Sequence, residues 1–78
     1  NRSNLKYAVA DGFISDEKIH LLIQIYGDDP HQVIDVYATN TGEYLHSYRL
    51  EESVRSITSL ENGTIVGIQP DRLLIWEQ

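Results

Sequence analysis

Cysteine and methionine are absent from this chain. The first absence rules out disulfides and thiolate metal sites. Basic residues are few: six Lys and Arg stand against twelve Asp and Glu, for a formal net charge of −6. That balance argues against nucleic acid and against anionic membrane surfaces as partners. No apolar run approaches the length of a membrane span, and no signal-peptide pattern opens the sequence. The three histidines, His20, His31 and His46, show no HExxH or HxH spacing. No Gly-rich phosphate loop is present, and Ser47, Ser53, Ser56 and Ser59 lack a G-x-S-x-G setting. We therefore expect no metal, no cofactor and no catalytic residue.

What is present fits one small globular unit, 1–78. Apolar residues make up 41% of the 78 positions and charged residues 23%. A chain this short buries only about 60% of its unfolded surface. Without disulfides, a scaffold of this size is expected to lean on partner surfaces or on other copies of itself. The chain starts at Asn1 rather than Met, which points to processing or to a piece of a longer polypeptide. Residues 1–6 read as a loose lead-in. The closing run Leu73-Leu74-Ile75-Trp76 reads as a strand docked in a sheet.

Turn-like clusters punctuate the chain at short intervals: Asp11-Gly12, Ser15-Asp16-Glu17, Gly27-Asp28-Asp29-Pro30, Asn40-Thr41-Gly42, Glu51-Glu52-Ser53, Asn62-Gly63 and Gln69-Pro70-Asp71. Between them lie short runs rich in Ile, Val, Leu, Tyr and Thr. This spacing predicts an all-β fold of antiparallel meanders. The predicted strands are 7–14, 19–26, 33–38, 44–50, 54–60, 64–69 and 72–77. The run 19–26 also satisfies helical spacing through Ile19, Leu22, Ile23 and Tyr26, with Asp16 as a cap. Periodicity alone leaves that choice open.

An internal repeat favours the strand. Ile14 to Ile19 aligns with Leu60 to Ile65 at an offset of 46 residues, and Ile34 to Tyr37 aligns with Leu73 to Trp76 at an offset of 39. The difference falls in the loop after the second strand, where the first copy carries Gly-Asp-Asp-Pro. In the second copy, Gly67 and Pro70 oppose a helix over 64–70. Asn62-Gly63 between apolar runs predicts a hairpin with a type I′ turn.

The passage Val33-Ile34-Asp35-Val36-Tyr37, Asn40-Thr41-Gly42-Glu43-Tyr44-Leu45, Val54 to Leu60 and Asn62-Gly63-Thr64-Ile65-Val66 resembles the blades of bacterial six-bladed β-propellers of the TolB-like and NHL-like kind. The resemblance implies one complete four-stranded blade, 7–50, and a three-stranded partial blade, 54–77. It implies a periplasmic or extracellular setting. It also implies that the missing fourth strand and the missing blades come from elsewhere, since fewer than two blades close no ring. The Trp76 ending is similar to the third strand of WD40-type blades, but Glu77 follows it and no Gly-His pair is present.

Candidate site residues follow. Asp28, Asp29 and His31 sit in the longest loop and could ligate a cation, or they form a solvated Asp-Pro turn. The resemblance places this loop on one face with Glu51 and Glu52, which makes that face acidic and the expected ligand face. Asp11 lies in the strand that lines a propeller channel, where it faces an ion or substrate, or forms a bulge with Gly12. Asp35 stands inside an apolar run, and a structural anchor is the expected role. The tyrosines, with Trp76 and Phe13, suit packing between sheets, or stacking on a sugar or peptide. Asn1-Arg2-Ser3 and Asn62-Gly63-Thr64 match the glycosylation pattern, but a hairpin explains Asn62 better.

The first functional expectation is a non-catalytic propeller segment, a scaffold that binds protein, peptide or glycan. The alternative is a fragment of a propeller enzyme, a hydrolase or lyase with a channel or loop-face site. A third is a free-standing β module that oligomerises.

Overall fold

The computed structural model describes residues 6–76, so most of the predicted lead-in lies outside the described residues. The fold is all-β. Seven strands follow in order: β1 Tyr7–Ser15, β2 Lys18–Ile25, β3 His31–Ala38, β4 Tyr44–Arg49, β5 Ser56–Ser59, β6 Ile65–Ile68 and β7 Leu73–Trp76. Strands β1 to β4 form one antiparallel meander, and β5 to β7 form a second. The segment that satisfied both periods is a strand. Its alternate residues Ile19, Leu21, Ile23 and Ile25 share one face and pair across to Tyr37, Asp35, Val33 and His31. Strands β5 and β6 are shorter than predicted, β7 starts at Leu73 with position 77 of its predicted span outside the described residues, and 54–55 lie in the connection, tied down by Val54.

The predicted type I′ geometry occurs at a different hairpin. Asp16 and Glu17 carry φ of 54° and 58°, and they join β1 to β2 as a two-residue loop between Ser15 and Lys18. At Asn62-Gly63 only the glycine is left-handed, at φ 87°. There Gly63 N–H donates to the Leu60 carbonyl at 3.0 Å, and Leu60 N–H donates to the Thr64 carbonyl at 2.9 Å. That is a three-residue loop with glycine in the bulge position, a different solution to the same reversal of chain direction. The additional loop residue shifts β5 by one place against the aligned repeat.

The repeat is otherwise kept in three dimensions. Leu22 pairs with Ile34 and His20 with Val36, while Ile68 pairs with Leu73 and Val66 with Ile75. These are the same positions under the offsets of 46 and 39. Call the face bearing His20, Leu22, Ile34 and Val36 the front of the first sheet. The matching front of the second sheet bears Val66, Ile68, Leu73 and Ile75. Its back bears Ile57, Ile65, Leu74 and Trp76.

The core is the first sheet's front packed on the second sheet's back. Leu22, Ile34, Val36, Ile57 and Ile65 are all buried in one cluster, closed by Leu50, Val54 and the rings of Phe13 and Trp76. Each such side chain contributes about 1.5–3 kcal/mol relative to exposure. Gly67 is required there: a Cβ on it would lie 2.4 Å from the Trp76 ring and 2.8 Å from Val54. The two sheets thus stack head to tail, front on back, and a second buried cluster of Ile23, Ile25 and Val33, with Leu21 packed against it, lies on the back of the first sheet.

Candidate functional site

The loops gather at two ends of the stack. At one end lie the β2–β3, β4–β5 and β6–β7 connections, where the acidic ligand face is expected. Asp29 and His31 do meet there. Arg49 donates to the Asp29 carboxylate at 3.0 Å, and His31 Nδ1 lies 2.7 Å from the Asp29 carbonyl oxygen. Glu52 is held by the Arg72 guanidinium, which also donates to Gln69 at 2.7 Å. Gln69 in turn donates to the Ser53 carbonyl at 2.8 Å. Asp28 and Glu51 are exposed. Two of the four carboxylates thus face arginines, in solvent-exposed pairs worth roughly 0–1 kcal/mol each. Among the described residues no three His, Asp or Glu side chains are grouped to hold a metal ion.

Asp11 lies at a β-bulge, where the register slips between Val9 and Asp11. Its carboxylate accepts the Ile57 N–H at 2.8 Å, so it ties β1 to β5 across the two sheets. Asp35 is 2% exposed and accepts the Ser47 hydroxyl at 2.6 Å. It anchors β4 on β3. Sequence reasoning missed a stronger tie. The buried Gln32 amide donates to the Val54 carbonyl at 2.9 Å and accepts the Val54 N–H at 2.8 Å. One side chain thereby satisfies both backbone groups of an unpaired segment between the sheets.

The opposite end holds a cleft that the sequence did not suggest. It opens between the Asp16-Glu17 turn and the loop 61–63, with a volume of about 380 Å³. That lies within the roughly 300–1,000 Å³ usual for ligand clefts. Phe13, Ser15 and Lys18 line one side, and Ser59, Asn62 and Thr64 the other. A second hollow beside it is lined by Ser15, Asp16, Glu61, Asn62 and Gly63.

His20 forms part of the cleft wall. It is 4% exposed and stacks on Phe13 with ring centroids 4.5 Å apart and planes within 6°. Neither ring nitrogen makes a well-formed hydrogen bond, the Lys18 backbone acting on the ring only weakly. Burial lowers its pKa from the ordinary 6.5, the positive charges of Lys18 and His46 lower it further, and the Lys18 backbone pulls weakly the other way. The ring therefore sits neutral at neutral pH. Its one sequence signal was the repeat: the aligned position is Val66, also buried, and aliphatic.

No family model, curated protein or solved structure matches the chain.

Proposed function

We propose that this chain is a non-catalytic segment of a β-propeller scaffold, of the six-bladed kind that its sequence resembles. The first sheet is then a complete blade, and the second is a blade awaiting its outer strand. Its role is packing, and the assembled scaffold binds protein, peptide or glycan at a loop face. The partners are the remaining blades of a larger propeller, or further copies of this chain.

One observation carries the reading: the head-to-tail order of the two sheets. Front on back is a heterologous contact, and such contacts do not saturate in pairs; they run on until a ring closes or a fibre grows. The front of the second sheet repeats, position by position, the surface that is core in the first. Leu73 and Ile75 on it are 60% and 62% exposed. On the back of the first sheet, Ile14 and Val9 are 71% and 58% exposed. The second sheet's front thus offers exposed apolar residues that match a surface which accepts a sheet within this chain, while the first sheet's back exposes Ile14 and Val9 around a cluster, Ile23, Ile25 and Val33, that is already buried.

The test is a tandem series of one, two and three copies joined in a single polypeptide. In stacked repeats, stability grows with each internal interface. The reading expects unfolding free energy per copy to rise with copy number. Equal stability per copy across the series would overturn it.

A further inference from the structure

We propose that the cleft between the two hairpin turns is a binding site for a neutral polyol, of the size and chemistry of a sugar ring, with His20 as its polar floor. This goes beyond the scaffold reading and does not depend on it, since the cleft is complete within this chain.

The starting point is a buried imidazole that stacks on Phe13 yet makes no well-formed hydrogen bond at either ring nitrogen. An unsatisfied buried nitrogen is costly, and native proteins carry few of them. The repeat does not demand an imidazole at this place. Val66 fills the matching position of the second sheet and is buried equally well, at 6% exposure against 4%. His20 therefore spends stability where an aliphatic side chain would serve, and it does so on the wall of the cleft.

The chemistry of the wall selects the ligand. Ser15, Ser59 and Thr64 present hydroxyls, Asn62 presents an amide, and Lys18 and Asp16 carry opposite charges. No single sign of charge prevails, which disfavours a simple anion or cation. A neutral imidazole has one donor and one acceptor nitrogen, and a hydroxyl can answer either. A ligand bearing several hydroxyls fits this mixed wall, and Phe13 offers an apolar surface to its C–H groups. The His20 nitrogens are closed to bulk water, so the ligand must displace part of the wall to reach them. Lys18 is the long, flexible side chain there, adjacent to the ring in space and charge.

The test is a titration of the isotopically labelled full chain with glucose, galactose and mannose, and separately with inorganic phosphate. The ring nitrogens of His20 and the amides of Ser59 and Thr64 are followed by NMR. The proposal expects saturable shifts with at least one sugar below roughly 100 mM, well above a millimolar Kd. The His20→Val variant, which copies the second sheet, should keep the amide spectrum of the folded chain and lose saturation. Should that variant fail to fold, the wall variant Ser59→Ala with Thr64→Val should weaken binding at least fivefold. Absence of saturation with all three sugars would overturn the proposal. So would saturation by phosphate alone, or undiminished sugar binding by the folded His20→Val chain. The tandem series reads stability and not sugar binding, so the two proposals fail separately.

Discussion

Leu22, Ile34 and Val36 occupy the same places in the first sheet as Ile68, Leu73 and Ile75 in the second. The first three are 0%, 1% and 0% exposed, and the second three 36%, 60% and 62%. Strand pairing, register and side-chain character are shared. Among the described residues the second sheet lacks a fourth strand, and no sheet lies on its three side chains. An apolar front face is therefore a property of the repeat, and burial is a property of its neighbours. On the second front Val66 is buried, while Ile68, Leu73 and Ile75 stay exposed beside it.

The comparison can be broken most directly by truncation at matched positions. Leu22→Ala or Ile34→Ala should cost about 2–5 kcal/mol in urea unfolding, as core truncations do. Leu73→Ala or Ile75→Ala should stay within about 0.5 kcal/mol in the dilute single chain. In a tandem array that covers the second front, the latter two should rise toward the former. Equal costs in the single chain would mean that the second front is already buried.

Gly67→Ala probes the interface from the other side. A methyl group there collides with Trp76 and Val54, and a loss of about 1–3 kcal/mol is expected. Gln32→Leu should cost about 2 kcal/mol, because the Val54 N–H and carbonyl lose their shared partner. Both effects vanish if the sheets do not pack through this seam, and thermal melting reads both.

His20 sharpens the contrast through pH. Its folded pKa lies below the ordinary 6.5, so the unfolded chain takes up the proton more readily. Its contribution to stability is therefore complete above the unfolded pKa, and is lost as pH falls through that value toward the folded one. Histidine to valine at this position should remove that component of the slope and raise stability at neutral pH by about 1 kcal/mol. Urea midpoints taken between pH 7.5 and pH 5 check the sign. The β1–β2 turn gives an effect of similar size. Glu17→Gly should add about 1 kcal/mol, because a left-handed φ of 58° penalises any residue with a Cβ.

Much of the fold was legible because alternation and repetition are backbone-level signals. The offsets of 46 and 39 matched β2 to β6 and β3 to β7 residue for residue. The ambiguity at Ile19 to Tyr26 was resolved by that repeat and not by periodicity. The turns were less legible. Asn62-Gly63 satisfies two hairpin geometries, and Asp16-Glu17 adopts the left-handed pair without the residues that advertise it. The acidic loop residues lie at one end of the stack, and Arg49 and Arg72 pair with two of them through contacts that span 20 residues in sequence. The cleft was not legible, because its two walls come from hairpins of different sheets. His20 stood out only against Val66, and only once both were known to be buried.

The most direct measurement is the solution mass of the 78-residue chain over a wide concentration range, by size exclusion with light scattering. If the two outer faces are interfaces awaiting sheets, the mass rises with concentration above that of one chain, and Ile75→Asp holds it at the single-chain value. A mass of one chain at every concentration, with cooperative unfolding above about 5 kcal/mol, would contradict the account.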